Sequence, residues 1–345
     1  MVKKSLLFLF LSFCQFQIVT AQDSHFKDHL GFKETFFGNE EDHQVCYPKD
    51  HRNFFYSIFG FALLATTLGI AIFVIKSKSN KLLKEKNRII EEKNYDLVSS
   101  ITYAKRIQNA ILPPKQLVND FRDNLFVFYK PRDIVSGDFY WMHKQDNFLY
   151  MAVVDCTGHG VPGAFLSLIG QNSIDRAVKE DKLTNPTLIL DKMNLYVKHI
   201  LQQEQDSDLR DGMEVALCKL NLQTNVLEFA GANLGLVIVQ NKNLVALKGS
   251  KCTVGSVQQH VVSAPKTETI QLNAGDSFYF YSDGFVDQVG GNLSKKFKSV
   301  QLKEALIKIS VLPVSQQCVQ LKNIFEGWKG DLEQVDDVCV LGYKI

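Results

Sequence analysis

Four aspartates in this chain lie at or beside the ends of short apolar segments that have the composition of β-strands. They are Asp138, Asp155, Asp283 and Asp336. Strand ends are held rigidly by a sheet, so side chains there can be aimed at one point. Carboxylates that converge repel one another unless a cation lies between them, and oxygen ligands suit the hard cations Mg²⁺ and Mn²⁺. The sequence therefore predicts a divalent-metal site built from residues far apart in the chain.

A glycine-rich turn follows the second of these aspartates and reads Asp155-Cys-Thr-Gly-His-Gly-Val-Pro-Gly163. Its glycines permit positive φ angles, and Pro162 suits the first turn of a helix. The backbone carbonyl of Cys156 could join the Asp155 carboxylate at a cation, whereas the N–H groups of such a turn could instead hold a phosphate. His159 is a candidate ligand or general acid, although a histidine between glycines more often makes structural hydrogen bonds. The turn alone leaves these alternatives open.

The 345 residues carry a formal net charge of +2 and are 46% hydrophobic, which suits one large domain with extra segments. This near-neutral charge gives no support for a basic nucleic-acid groove, so neither a nucleic-acid partner nor a nuclease or phosphodiesterase is expected. The seven cysteines form no Cys-x-x-Cys pair, and a structural zinc site is not expected. Cys156, Cys218 and Cys339 lie in or beside apolar runs, which is typical of free thiols in a reducing compartment.

Two apolar segments of different length lie within the first 75 residues. Residues 1–21 combine a basic start, a short apolar run and a small residue near the cleavage position, which predicts a secretory signal peptide. An uncleaved first transmembrane helix is the alternative. Residues 22–52 would then form a short extracytoplasmic segment. Residues 53–75 carry no charge and are long enough to cross a bilayer, so they are predicted as a transmembrane helix rather than a buried helix of a soluble protein.

Basic residues follow the second apolar segment between Lys76 and Lys81. The positive-inside rule assigns this flank to the cytoplasm. The sequence therefore predicts a single pass through the inner (cytoplasmic) membrane, with the C-terminal domain in the cytoplasm.

A helical connector is predicted for residues 76–112, which contain no Gly or Pro before Pro113 and Pro114. Apolar residues recur there every seven positions, as a left-handed coiled coil requires. They are Leu83, Ile90, Leu97, Ala104 and Ile111. The second stripe of the repeat is poor because Asn87 and Asn94 are polar. We expect a parallel homodimer through this connector, and a single amphipathic helix lying on the next domain is the alternative.

Residues 113–345 alternate apolar runs with short polar turns, and helical patterns cover 162–180 and 186–204. Short connections indicate antiparallel pairing, and helices inserted between groups of strands indicate an α+β fold with helices outside packed sheets. The predicted strands are 125–129, 138–143, 148–154, 214–220, 226–230, 234–239, 267–272, 277–282 and 338–343.

Several strings in this part of the chain resemble the metal-dependent (PPM, or type 2C) serine/threonine protein phosphatases, specifically their SpoIIE/RsbU branch. The strings are Ile107-Gln-Asn-Ala-Ile-Leu-Pro-Pro114, Pro131-Arg-Asp-Ile-Val-Ser-Gly-Asp-Phe-Tyr-Trp141, Val153-Val-Asp-Cys-Thr-Gly-His-Gly-Val-Pro-Gly-Ala164, Asp211-Gly-Met-Glu-Val-Ala-Leu217, Phe229-Ala-Gly-Ala-Asn233, Tyr281-Ser-Asp-Gly284 and Asp336-Asp-Val-Cys-Val340. They occur in family order. The resemblance implies an α-β-β-α sandwich with a two-metal site at one edge of the paired sheets.

The resemblance also implies a role for each matching residue. Asp155 resembles the carboxylate that bridges both metal ions, and the Cys156 carbonyl stands at a main-chain ligand position of one of them. Asp283 and Asp336 match the ligands of the other ion. Cys156 and Thr157 replace the Gly-Met pair often found after the bridging aspartate.

Three further assignments follow from the same resemblance. Asp138 matches a catalytic acid that orients the attacking water, and Asp211 matches a looser position for a third metal ion. The chain has no clear counterpart of the phosphate-binding arginine of the eukaryotic branch. Arg132 is the nearest candidate for substrate binding, and a surface residue in a loop is the alternative.

The activity implied is hydrolysis of phosphoserine or phosphothreonine by water that two Mn²⁺ or Mg²⁺ ions activate. The implied substrate is a cytoplasmic regulatory protein, by analogy one of the anti-sigma-antagonist type. The implied enzyme is anchored to the membrane, and its connector helix controls its activity. The alternative is an inactive pseudophosphatase that relays a membrane signal by binding a partner.

Overall fold

The computed structural model describes residues 49–202, 211–256 and 264–345, with side chains described from Asn53 onward. The predicted signal peptide 1–21 and almost all of the extracytoplasmic segment 22–52 lie outside the described residues. Two compact units divide between Leu82 and Leu83.

The described part of the first unit is helical. Helix α1 (Lys49–Ile111) contains the apolar segment and continues through the connector, which has no Gly or Pro to interrupt it. Its most apolar window has a mean hydropathy of 2.5 and buries none of its residues, so by length and composition this helix could cross a membrane. The predicted helices 53–75 and 76–112 therefore form one continuous helix. Membrane insertion and coiled-coil pairing remain predictions.

The second unit is built around two five-stranded antiparallel sheets. Its strands are β1 (Leu125–Lys130), β2 (Phe139–Gln145), β3 (Phe148–Cys156), β4 (Met213–Asn221), β5 (Val226–Ala232), β6 (Leu236–Gln240), β7 (Asn243–Leu247), β8 (Glu268–Gln271), β9 (Ser277–Tyr281), β10 (Val289–Gly290), β11 (Lys295–Lys296) and β12 (Val338–Lys344). One sheet has the order β1-β12-β9-β6-β7 and the other β2-β3-β4-β5-β8, while β10 and β11 form a separate small hairpin.

Helices cover the outer faces of both sheets. They are α2 (Lys115–Asp120), α3 (Gly160–Asp175), α4 (Pro186–Leu201), α5 (Gly284–Asp287), α6 (Ser299–Ile309) and α7 (Val314–Lys329), and a π-helical turn (Arg176–Glu180) continues α3. Helices α3 and α4 pack on the outer face of the second sheet, whereas α6 and α7 pack on that of the first. The α-β-β-α sandwich is confirmed.

Alternating side chains of each inner strand separate the two sides of a sheet. In β12, Cys339 and Leu341 pack between the two sheets, whereas Val338 and Val340 face the outer helices. This period of two is what an extended strand produces. Because each large apolar side chain that is fully buried contributes about 1.5–3 kcal/mol, this double-sided burial holds the strand ends rigidly.

The nine predicted strands all occur, with boundaries shifted by a few residues. The predicted helix 162–180 begins at Gly160 and ends in the π-helical turn, and the predicted helix 186–204 ends at Leu201. The strands β7, β10 and β11 and the helices α6 and α7 were not predicted.

Candidate metal centre

Three of the sequence-predicted acids line one cavity of about 320 Å³ where the edges of the two sheets come together. Asp155 lies near the end of β3, and Asp283 follows β9. Asp336 precedes β12, which is the antiparallel neighbour of β9. The cavity lining is completed by Cys156, Thr157, Gly158, Glu214, Thr253 and Ser256. The two sheets thus bring together carboxylates that are almost two hundred residues apart in sequence.

Asp155 and Asp283 lie next to each other across the two sheets. The backbone N–H of Asp283 points to Oδ2 of Asp155 at 3.4 Å. Burial, and then the negative charge of Asp283, raise the pKa of Asp155 to about 7. Desolvation by the surrounding protein, and then the charge of Asp336, raise the pKa of Asp283 to about 6, although this residue keeps exposed surface at the cavity mouth. The acids therefore destabilise one another's ionised forms.

Asp336 and Asp337 are neighbours with different surroundings. The backbone N–H of Asp337 donates to Oδ1 of Asp336 at 2.8 Å, which fixes the carboxylate that lines the cavity. Both carboxylate oxygens of buried Asp337 accept backbone hydrogen bonds, from Arg132 at 2.7 Å and from Gly137 at 2.8 Å. Asp337 thus fastens the loop before β2 to the start of β12.

Asp138 is almost completely buried, just before β2. Burial, and then the charge of Asp155, raise the pKa of Asp138 well above its usual range, while a hydrogen bond with Ser282 opposes the shift. Its Oδ2 atom has no hydrogen-bond partner within the described ranges. A buried carboxylate oxygen without a partner is costly, so this atom requires a proton, a water molecule or a cation.

The glycine-rich turn is fastened to the start of β4. The backbone N–H of Thr157 donates to the Gly212 carbonyl at 2.9 Å, and the φ angles of Gly158 and Gly160 are +83° and +64°. His159 pairs with Asp133 through Nδ1 and Oδ2 at 2.9 Å. The thiol of Cys156 is buried, and burial raises its pKa well above the ordinary range, so its side chain is not suited to nucleophilic chemistry.

Glu214 is a cavity residue that the sequence analysis missed. It lies opposite Asp155 in the β3–β4 register, and Asn233 donates to its Oε1 atom at 3.1 Å. Burial raises its pKa. The nearby Asp211 is not among the residues that line the cavity, and its role at a third metal ion stays a prediction.

Arg132 lies in the loop between β1 and β2, and its guanidinium donates to the Val335 carbonyl at 2.9 Å. This contact links Arg132 to the segment that carries Asp336. Substrate binding by Arg132 stays a prediction, as does its alternative, a surface residue in a loop.

The donor set fits hard divalent cations. Four carboxylates, together with a backbone carbonyl at Cys156, offer oxygen ligands of the kind that Mg²⁺ and Mn²⁺ prefer. Burial, and then the charges of neighbouring acids, raise the pKa values of Asp155 and Asp283, so a cation would stabilise their ionised forms. Within the described ranges, no three His, Cys, Asp or Glu side chains are already close enough to form a ready metal site. The acids share a cavity rather than a closed coordination shell.

Metal stabilisation should depend on pH. Because the folded-state pKa values of about 7 for Asp155 and about 6 for Asp283 exceed the usual value of 3.8, the folded metal-free protein holds extra protons. That contribution to stability is lost as the pH rises from about 4 to about 7. Cations need the ionised acids, so we expect Mn²⁺ to raise Tm more at about pH 8 than at about pH 5. Thermal unfolding at both pH values checks this, and an equal increase would contradict it.

Comparison with known proteins agrees with this geometry. Residues 145–345 match the family described as Stage II sporulation protein E (SpoIIE), well over half of the chain. The chain belongs to the SpoIIE family. The SiaA-PP2C domain of Pseudomonas aeruginosa is 29% identical in sequence and superposes with a TM-score of 0.67, over 73% of this chain and 98% of that chain. A comparison with curated protein sequences finds no match.

Two more distant structures share the fold of this SpoIIE-family chain. The SpoIIE phosphatase domain with a regulatory fragment from Bacillus subtilis has 15% identity and a TM-score of 0.52, over 64% of this chain and 63% of that chain. The RsbU and RsbW domains of a Mycobacterium tuberculosis protein have 16% identity and a TM-score of 0.51, over 65% and 60%. The chain therefore has the fold of PPM-type serine/threonine phosphatases, a family that depends on metal ions.

Proposed function

We propose that this protein hydrolyses phosphoserine or phosphothreonine on a cytoplasmic regulatory protein, using two Mn²⁺ or Mg²⁺ ions. The observation that carries the proposal is the meeting of Asp155, Glu214, Asp283 and Asp336 in one cavity of a PPM-type fold. A regulatory phosphoprotein of the anti-sigma-antagonist type is the proposed partner by analogy with the SpoIIE and RsbU relatives.

The residues of the site have different proposed roles, which follow from their positions. Asp155, Asp283, Asp336 and the Cys156 carbonyl would hold the cations, with Asp211 at a third, looser position. Bound divalent ions lower the pKa of water and neutralise the charge of a transferring phosphoryl group. Asp138, buried beside Asp155, would orient the attacking water and hold its proton, because burial raises the pKa of this acid and so favours its protonated form. No covalent phospho-enzyme is required.

The direct test measures hydrolysis of p-nitrophenyl phosphate by the full chain in a neutral detergent, with Mn²⁺, with Mg²⁺ and with a chelator. Activity that requires a divalent ion supports the proposal. Calorimetry with Mn²⁺ then addresses the pseudophosphatase alternative, because a scaffold that only binds a partner need not bind metal. Metal binding without any phosphatase activity would favour the pseudophosphatase.

The proposed membrane anchor is the apolar part of α1, with the phosphatase unit in the cytoplasm. The heptad residues Leu83, Ile90 and Leu97 are each more than half exposed, which leaves them accessible to a second copy of the helix. We expect Leu97→Cys to form a disulfide-linked homodimer under mild oxidation, as a parallel coiled coil requires. Non-reducing electrophoresis reads the result, with Tyr95→Cys as the control position, and a chain that stays monomeric would contradict pairing.

The end of α1 contacts the loop that carries Asp138. The buried Gln108 amide donates to the Ser136 carbonyl at 2.6 Å and to Ser167 Oγ at 2.9 Å, and it accepts from the Ser136 N–H at 3.1 Å. We propose that this contact is the point at which α1 controls the site.

Removing this side chain should therefore affect both folding and catalysis. We expect Gln108→Ala to lower the free energy of unfolding by about 1–3 kcal/mol, because it leaves buried polar groups unpaired, and to lower kcat through displacement of Asp138. Gln116→Ala is the matched control, since exposed Gln116 hydrogen-bonds the exposed side chain of Asp120. Urea unfolding and p-nitrophenyl phosphate kinetics check both effects. Unchanged kcat would remove the proposed control point.

A further inference from the structure

A small basic hairpin follows the metal-cavity residue Asp283 in the chain, one short helix later, and its Lys296 lies within electrostatic range of Asp283. Strand β10 pairs with β11 in the register Val289↔Lys296 and Gly290↔Lys295. Lys295, Lys296 and Lys298 are all exposed. We refer to residues 289–298 as the basic hairpin. It adds a cluster of positive charge close to an otherwise acidic cavity.

The basic hairpin is held rigidly by Trp328 at the end of α7. The Gly291 N–H donates to the Trp328 carbonyl at 2.8 Å, and the indole N–H of Trp328 donates to the Gln288 carbonyl at 3.0 Å. The Phe297 ring lies edge-on to the indole with centroids 5.3 Å apart. At Gly290 a Cβ atom would lie only 1.9 Å from the Trp328 carbonyl oxygen, so the close approach requires glycine.

This arrangement forms a second cavity of about 320 Å³, with the Trp328 side chain and Leu293 as apolar surfaces and the three lysines around it. Leu293 is 74% exposed. Lys298 has a φ angle of +72°, a conformation that is strained for a residue other than glycine and that concentrates at functional sites. Neither Lys295 nor Lys298 makes an ion pair with another described residue. The cavity therefore offers two lysines without an ion-pair partner among the described residues, beside an apolar surface.

The short helix α5 connects the basic hairpin to the metal cavity. It begins directly after Asp283 and ends at Asp287, whose carboxylate pairs with Lys296 Nζ at 2.7 Å. Four helical residues span about 6 Å, and an extended peptide advances about 3.3 Å per residue. A peptide whose phosphoserine enters the metal cavity would pass the lysines with the residues about two to four positions away.

We propose that the basic hairpin binds an acidic segment of the phosphoprotein substrate, about two to four residues from the phosphorylated side chain. The proposal rests on the phosphatase function proposed above. Lys295 and Lys298 pair with the carboxylates of this segment, while Trp328 and Leu293 contact an apolar side chain between them. Lysines act there as point charges on flexible stems, which suits carboxylates in variable positions rather than one bidentate contact.

Electrostatics favours an acidic occupant of the basic hairpin. Two divalent cations would offset the charge of the four carboxylates that line the metal cavity, so the cavity itself would give an acidic segment little attraction or repulsion. The lysines of the basic hairpin would attract such a segment from solution. Because the charges are exposed, the attraction extends over about 8 Å at physiological ionic strength and weakens as salt is added.

The test compares three phosphoserine peptides that differ only in their flanking residues, which are acidic, neutral or basic. We expect the full chain in neutral detergent to hydrolyse the acidic peptide with a kcat/KM about tenfold higher than the neutral one, and we expect high salt to remove this preference. The double variant Lys295→Glu/Lys298→Glu should lose the preference and favour the basic peptide. Its hydrolysis of p-nitrophenyl phosphate, which has no flanking residues, should be unchanged.

The control variant Lys308→Glu/Lys322→Glu carries the same charge change on α6 and α7, away from the basic hairpin, and should keep the preference. Wild-type hydrolysis of p-nitrophenyl phosphate without a preference for the acidic peptide would overturn the docking proposal and leave the phosphatase function standing. Absence of any hydrolysis would instead reject the phosphatase function, and the docking proposal with it. If the double variant lost activity equally toward the peptides and p-nitrophenyl phosphate, the lysines would act in the chemical step. If its only defect were weaker adsorption to phosphatidylserine-containing micelles, the lysines would bind a lipid surface. Either result would overturn the proposal.

Discussion

Replacing Asp155 or Asp283 by alanine is expected to abolish Mn²⁺-dependent hydrolysis of p-nitrophenyl phosphate while the fold persists. Each carboxylate lines the cavity from a different sheet, so each loss removes a ligand that no neighbour replaces. We expect a decrease of about three orders of magnitude in kcat/KM, which corresponds to about 4 kcal/mol of transition-state stabilisation. Enzyme kinetics with saturating Mn²⁺ measures the effect.

The stability of these variants separates a lost ligand from a lost fold. Because the pKa of Asp155 is raised to about 7 by burial and by neighbouring acids, its ionised form destabilises the metal-free protein at neutral pH. Asp155→Ala should therefore unfold at the same or a higher temperature than the wild type without metal. Asp123→Ala is the matched control, because the Asp123 side chain is 90% exposed. Full activity of either cavity variant would reject the metal-site assignment.

Gly284→Ala is expected to damage both stability and activity. A Cβ atom at Gly284 would lie 2.0 Å from the Asp337 carbonyl oxygen, so the backbone beside Asp283 and Asp336 has to move apart. Overpacking of this kind costs about 3 kcal/mol, or a decrease of about 6–12 °C in Tm for a domain of this size. We also expect a large loss of Mn²⁺-dependent activity, since both neighbouring carboxylates shift.

A glycine in α7 provides the control with the opposite sign. A Cβ atom at Gly327 would meet no atom within 4 Å, and alanine inside an exposed helix is more stable than glycine by about 0.5–1 kcal/mol. Gly327→Ala should therefore raise Tm slightly and leave activity intact. Calorimetry measures the Tm of both variants. An increase in Tm for Gly284→Ala would contradict the prediction, because it would show that the backbone accommodates the Cβ atom without strain.

The sequence predicted the inner strands because their apolar runs are bounded by turns. It missed β7 because that edge strand buries none of its residues fully and shows no alternating pattern. The helices α6 and α7 were not predicted, although each has an apolar face, because neither contains a recognisable sequence motif. The hairpin of β10 and β11 is too short for a periodic signal, and Trp328, rather than local sequence, holds it in place.

The candidate site was predictable where a carboxylate follows or precedes a strand. Asp155, Asp283 and Asp336 lie together as expected. Glu214 was not predicted, because it lies within a strand and only the pairing register brings it opposite Asp155. The role of Asp337 was also hidden, since its partners are the backbone N–H groups of residues 205 and 200 positions away. Cross-strand register and backbone hydrogen bonds are tertiary features that a single sequence does not display.

The cavity straddles the seam between the two sheets, with Asp155 and Glu214 on one side and Asp283 and Asp336 on the other. A cation bound by carboxylates of both sheets would hold the two sheets together and resist sliding of one sheet over the other. The binding energy of the cation would then contribute to catalysis and also to the stability of the contact between the two sheets. If a signal displaced one sheet relative to the other by a fraction of an ångström, its first effect would be a change in the affinity of the cavity for the metal ion.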